Sequence, residues 1–302
     1  MTDSALQVID ERRSPAPDAE PPGGPVVRRL VPGAAERDPV RYAKRRRRIE
    51  TVLAWAVPVV LVLMWQLSAN QGWIDVRFFP GPKAIVDASR DLISSGMLVD
   101  AIWASSKRIL AGYALGVATG VIAGLLLGVF GLMRAALEPT LMTLYVVPKV
   151  AVLPLLLLIF GLGDKPKIFA VAITVFFFMW IQTMEAVIAT NPGYQEAMRS
   201  FDATRWQMFR SMYLPSALPQ IFVAARLCAG ISVLVMVSVE FVQGNDGVGY
   251  LIWNSWSLFL ATRMYVGIVA VSLMGLLFSM LIKSIGRRVL PWAPNDKTRG
   301  LN

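Results

Sequence analysis

The sequence predicts an all-α, polytopic membrane protein with six spanning helices, and three observations carry that prediction. Of 302 residues, 55% are hydrophobic and only 17% are charged. A soluble globular chain carries about 25% charged residues, so too little polar surface remains here to cover a water-soluble body. Apolar runs recur near 51–69, 107–130, 141–160, 166–189, 217–242 and 264–284. About 20 residues at about 1.5 Å each reach across a bilayer core roughly 30 Å thick. The net charge of +10 is concentrated in "RYAKRRRR", residues 41–48, directly before the first run. A basic block there anchors the cytoplasmic side of a first span by the positive-inside rule, and a nucleic-acid arm is the minor reading.

Histidine is absent and Cys228 is the single cysteine. An intrachain disulfide, a Cys/His zinc site and a His-based catalytic triad are therefore excluded. No catalytic, cofactor-binding or metal-ligating set is expected on this chain.

Taken in order, residues 1–45 are rich in Pro, Gly, Ala and charge and read as a disordered tail. The first apolar run follows the Arg cluster, too late for a signal peptide. Residues 46–100 hold the first span, with Pro58 placed to kink it, and then a turn at Pro80-Gly81-Pro82. Ile85, Ala88, Ser89, Leu92 and Ile93 recur at helical spacing beyond that turn and predict a short interfacial helix. Residues 101–290 carry the remaining spans, and 291–302 form a C-terminal tail. Pro148 and Pro154 interrupt the third span, and Gly161-Leu162-Gly163-Asp164 makes a tight turn into the fourth. Lys and Arg in the connections favour a cytoplasmic N-terminus. The inner side then holds the 41–48 cluster, Arg134, Arg199, Arg205, Arg210, Lys283, Arg287 and Arg288. Arg77, Lys83, Arg90, Lys165, Lys167 and Arg263 fall outside, with Lys107 and Arg108 near the start of the second span.

Three features stand out within this frame. The second span carries glycine at every fourth position: Gly112, Gly116, Gly120, Gly124 and Gly128. Each step of four rotates about 40° around the helix, so the stripe winds slowly. It suits close packing inside the subunit or against a second copy, or else the lining of a substrate path. Glu240 is the acidic residue deepest in any span, and such residues are costly and often functional. It reads either as a structural partner to backbone or a basic neighbour, or as a pathway or gate residue.

The third feature is "EAMRSFDATRWQMFRSMYLP", residues 196–215, between spans four and five. Asn191-Pro192 starts a helix by N-cap and first-turn preference. Tyr194, Ala197, Met198 and Phe201 then share one face, with Glu196 and Arg199 spaced to pair beside it. Asp202-Ala203-Thr204 reads as a break, and Thr204 with Gln207 has capping-box spacing. A second short helix follows, with Trp206, Met208, Phe209 and Met212, stopped at Pro215. Two short helices at an angle, greasy on one face and charged at the rim, fit either an interfacial helix on the bilayer or a docking surface for a soluble partner.

"EAMRSFDATRWQMFRSMYLPSALPQIFVAARL" resembles the EAA signature of binding-protein-dependent ABC importer permeases. Glu196, Ala197, Leu214 and Pro215 match it, while Met198 stands where Ala is usual and Asp202 where Gly is usual. "FFPGPKAIVDA", "VVPKVAVLPLLLLIFGLGDKPKI", "VSVEFVQGNDGVGYLIWNS" and "RRVLPW" resemble further blocks of the nitrate/sulfonate/taurine branch. The likeness covers about residues 50–292. It implies a type I ABC importer-like fold, the subunit lying in a bacterial inner membrane with both termini cytoplasmic. It implies a second permease copy or paralogue, two cytoplasmic ATPases carrying ATP and Mg, and an extracytoplasmic binding protein. The helix pair over 192–213 would then be the coupling helix. Met198, Phe201 and Trp206 would be its apolar anchors, Glu196, Arg199 and Arg205 its rim, with Ala197 and Asp202 in the motif. No nucleic acid is implied.

This chain has no Gly-x-x-x-x-Gly-Lys-Ser/Thr loop, so it is not itself an ATPase of the usual phosphate-loop type. A secondary transporter, the first alternative, needs ionisable residues or broken helices near the midplane, and Glu240 is the one such residue on offer. A membrane enzyme is disfavoured by the lack of clustered carboxylates, His pairs or a nucleophile elbow.

Overall fold

Helices and turns make up all of the chain that the computed structural model describes, residues 39–292. The expected tail therefore lies outside the described residues up to position 38, while 39–45 already begin a helix. The C-terminal tail lies outside them beyond Trp292. The chain divides into two units, Met1–Trp73 and Ile74–Asn302.

The first unit contributes one long helix, α1 (Pro39–Asn70). Pro58 sits inside it without ending it. Its apolar side chains, Val52, Trp55, Leu61 and Leu63 among them, are exposed, as befits a segment whose solvent is hydrocarbon.

In the second unit, α2 (Pro82–Ser94) is the predicted short helix and buries Ile85 and Leu92. Next come α3 (Met97–Val129), α4 (Gly131–Val146), α5 (Leu153–Phe160) and α6 (Asp164–Ile188). The short α7 (Pro192–Ser200) and α8 (Arg205–Met208) follow. Last are α9 (Leu214–Gln243), α10 (Val248–Ser257) and α11 (Ala261–Val289). Among the described residues, five helical stretches are long and apolar enough to cross a membrane: those in α1, α3, α6, α8–α9 and α11.

The expected third span, 141–160, is not one straight helix. The α4 helix and the segment Lys149–Phe160 meet at an 89° bend, so the pair makes a sixth span only if it is counted as one broken span rather than a re-entrant loop. Pro148 explains the break, because residue Val147 before it is pushed out of the helical region and sits extended at φ −61°, ψ 126°. A 3₁₀ turn over Lys149–Val152 leads into α5. Gly161 and Gly163, at φ 71° and 131°, then reverse the chain into α6, a path open to glycine and strained for any other residue.

The core lies where α3, α6 and α9 meet. Ile109 and Tyr113 of α3, Val171, Val175 and Met179 of α6, and Ala224, Cys228, Ala229 and Met236 of α9 form one buried cluster. Small residues on α9 let its backbone approach α6 closely. The Tyr113 hydroxyl donates to the Ala225 carbonyl at 2.8 Å, so its polar end is satisfied inside the bundle.

Candidate functional site

The connection from α6 to α9 builds as its residue types dictate. The Asn191 side chain accepts from the Gly193 amide at 2.8 Å and caps α7. At the other end, the Ala203 amide donates to the Met198 carbonyl at 3.1 Å and the Asp202 amide to the Arg199 carbonyl at 3.0 Å. Those two bonds are a Schellman cap, whose left-handed position is held by Asp202 at φ 50°. Asp tolerates that conformation better than most residues other than glycine. Thr204 and Gln207 close the capping box, amide to side chain in both directions at 3.3 and 2.8 Å.

The expected stop at Pro215 does not occur. A π-helical turn over Phe209–Tyr213 carries the helix from α8 into α9, so the run from Arg205 to Gln243 is continuous. Pro215 lacks an amide hydrogen and its ring crowds the carbonyl four residues back. The wider turn immediately before it relieves both, and Pro215 sits in the first turn of α9. The expected Glu196–Arg199 ion pair is also not formed among the described residues, and both side chains are exposed. An exposed pair gains about 0–1 kcal/mol, which does not force the geometry.

Phe201 is 84% exposed and Trp206 66% exposed, flanking the Asp202 turn. Trp206 stacks on Phe209 at 5.6 Å between ring centroids. Met198 is half-buried, and Ala197, Asp202 and Arg205 are exposed with Glu196 and Arg199. The helix pair thus presents two large exposed aromatic groups and a ring of exposed charges that form no ion pair among the described residues.

All five stripe glycines face α6. A Cβ on Gly112 would lie 2.6 Å from the Ile168 carbonyl, one on Gly120 would lie 2.7 Å from the Met179 Cβ, and one on Gly128 would lie 2.6 Å from the Val187 Cβ. Gly116 and Gly124 meet Val175 and Thr183 in the same way. The stripe is a backbone-to-backbone seam inside the subunit.

Glu240 is fully buried. Its carboxylate accepts from the Ser105 hydroxyl at 2.8 and 2.9 Å, the Gly249 amide at 2.8 Å and Arg108 Nη1 at 3.2 Å. Gly247 and Gly249 leave the room it needs, since a Cβ on either would strike Glu240. Arg108, itself buried, also donates to Asp164 at 2.6 Å and to Asp246 at 2.6 Å. Lys167 reaches Asp246 at 3.4 Å. One guanidinium therefore ties α3, α6, α9 and the 244–247 loop together. Burial alone would raise the Asp246 carboxyl, but hydrogen bonds and charge from Arg108, joined by Lys167, hold it below the usual carboxylate range.

Sequence reasoning singled out Glu240 and missed this cluster. Ser105, Arg108, Asp164, Lys167 and Asp246 read as ordinary charged or polar residues at the ends of spans. The available signal was that basic and acidic residues end three different spans that must come together in a bundle.

Comparison with known proteins places the geometry. Residues 116–291 match the family model described as binding-protein-dependent transport system inner membrane component. SsuC of Escherichia coli K12, a permease provisionally assigned to aliphatic sulfonate transport, is 32% identical over 243 residues, covering 80% of this chain and 92% of that protein. The nitrate import permease NrtB of Leptolyngbya laminosa is 31% identical over 275 residues, covering 86% and 96%. The fold is similar to that of a chain of the MetNI methionine ABC transporter in an inward-facing conformation, with TM-score 0.57 and 20% identity, covering 65% of this chain and 97% of that one. A match over more than half the chain means that this protein belongs to the family of inner membrane components of binding-protein-dependent transport systems.

Proposed function

We propose that this chain is the permease subunit of an ATP-driven importer for a small anion of the sulfonate, nitrate or taurine kind. The solute is handed over by an extracytoplasmic binding protein. Two cytoplasmic ATPases supply ATP and Mg chemistry, and a second permease copy or a paralogue completes the pathway. Both termini face the cytoplasm in this reading, and the polypeptide itself does no catalysis.

The observation that carries the proposal is the exposed aromatic pair, Phe201 and Trp206, held at the elbow of two rigidly capped helices. Exposed aromatics framed by charge are the composition of an interface hot spot. The continuous helix from Arg205 to Gln243 gives a docked partner a direct mechanical route into the membrane. Motion of the ATPase would move α7 and α8, and through the uninterrupted backbone tilt α9, whose buried face packs on α3 and α6. Glu196, Arg199 and Arg205 would fix the register of the contact.

The test is co-expression with the ATPase of the same transport system. Wild-type chain should co-purify with it and support ATP-driven uptake in vesicles. Phe201→Ala should release the ATPase, since losing an interface anchor commonly costs more than about 2 kcal/mol, roughly thirtyfold in affinity. The spans should still fold, because Phe201 packs against none of them. Retention of the ATPase with full uptake would show instead that the helix pair lies on the bilayer surface.

A further inference from the structure

A cavity of about 510 Å³ lies beside the broken span, between α3, the 147–152 bend and α6. Leu115, Phe169, Ile173, Phe176 and Phe177 line it, and every other lining residue is apolar except Thr119 and Lys149. Lys149 is the one charged group there. Its ammonium donates to the carbonyls of Tyr145 and Leu144 at the end of α4. It also stands 4.8 Å from the Tyr145 ring and 4.9 Å from the Phe177 ring. Among the described residues no carboxylate pairs with it, and no acidic residue lines the cavity.

We propose that this cavity is a transport subsite for an organic monoanion with an apolar body, such as a short alkyl sulfonate, whose acidic head is met by Lys149. The reasoning rests on the import reading above and narrows it. A cation kept among apolar groups without a counter-charge is costly in a membrane span and marks a functional position. An ammonium has three donors, of which the carbonyls take two, so one remains for an anion. The aromatic faces beside it neutralise part of the charge while the site is empty.

The lining separates candidate anions by chemistry. Nitrate has a charge and no apolar body, so it would leave most of the cavity wall unmatched. Taurine carries an ammonium as well as a sulfonate, and that ammonium would be desolvated with no acidic group to receive it. An alkyl sulfonate matches both halves. The break in the third span is what creates the site. Pro148 turns the chain by 89°, and this brings the last carbonyls of α4, Lys149 and the ring of Phe177 to one point.

The full-length chain in an uncharged maltoside detergent is titrated with sodium butanesulfonate, butanol, sodium nitrate and taurine, read by calorimetry and by melting temperature. Butanesulfonate should bind more tightly than the other three. Lys149→Met should weaken it about tenfold or more, as expected for loss of a charge-assisted hydrogen bond, and Lys149→Arg should retain it. A merely structural lysine capping α4 would change melting without changing the preference for butanesulfonate over butanol. Thr119→Trp fills the cavity from its exposed edge with the charge kept. It should abolish binding even if Lys149→Met fails to fold. Unchanged butanesulfonate binding in both variants overturns the subsite, as does equal binding of nitrate or taurine. Loss of the subsite with ATPase recruitment and ATP-driven uptake intact would sink this inference alone. Failure to recruit an ATPase would sink the import reading and leave the binding result standing.

Discussion

Adding a single methyl group at Gly124 tests the seam between α3 and α6. A Cβ built there lies 2.5 Å from the Thr183 Cβ, 2.7 Å from the Trp180 carbonyl oxygen and 3.0 Å from the Met184 amide nitrogen. Ordinary contacts lie at about 3.5–4.0 Å. None of the three atoms is the far end of a side chain, so none can rotate away. The two helices must part locally by about 1 Å, and a gap of that size forfeits roughly a quarter to a half of the dispersion energy of each contact it opens. Overpacking of this kind costs about 1–3 kcal/mol. Alanine offsets about 0.8–1 kcal/mol of it through its better helix propensity. A net loss of up to about 2 kcal/mol remains, equivalent to a melting decrease of up to about 3 °C for a chain of this size.

The control is Gly275→Ala in α11, where a Cβ meets nothing within 4 Å and melting should hold or rise. Gly116→Ala should resemble Gly124→Ala. The double variant should cost less than the sum, because one separation of the helices accommodates both methyl groups. The assay is thermal unfolding of the purified chain in detergent, followed by the loss of monodisperse protein on a fluorescence-detected sizing column. If Gly124→Ala melts at or above the wild type, the close approach of α3 and α6 is wrong.

Asp202→Gly should stabilise the α7–α8 turn by about 0.5 kcal/mol and Asp202→Ala should weaken it by about 1 kcal/mol, since only glycine takes the left-handed conformation without strain; amide exchange across α7 reads the order, and equal protection in all three would refute it. Arg108→Met strands the buried Glu240 carboxylate and should cost about 3–5 kcal/mol. Adding Glu240→Gln should recover part of that loss in the same melting assay, whereas an additive double variant would deny the pairing. The depressed Asp246 carboxyl contributes stability that is complete above its unfolded value of about 3.9 and is lost as pH falls through the lower folded value. Melting should therefore hold down to about pH 5 and drop below about pH 4, with a shallower drop in Asp246→Asn; identical acid limbs would remove Asp246 from the account.

Much was legible in the sequence because the bilayer imposes length and composition on each element. Runs of apolar residues located the spans, Asn191-Pro192 and Thr204-x-x-Gln207 located the helix starts, and Asp202-Ala203-Thr204 read as a break, while the left-handed conformation of Asp202 came only from the structure. Local rules failed where a distant or larger context decided. Pro215 reads as a stop, yet a π-helical turn absorbs it, because α9 is held by packing along its length. Pro148 reads as an interruption, and only the fold shows that it bends the span by 89° and opens a cavity around Lys149. The glycine period was plain, but its partner was not: nothing on α3 announces that the seam is α6. The sequence marked Glu240 as the buried acid. It took the tertiary structure to bring Asp164 and Asp246, the latter 138 positions away, within hydrogen-bonding distance of Arg108. Charges that look separate along a chain become one cluster when three helices converge, because a buried ionised group persists only where opposite charge and donors surround it.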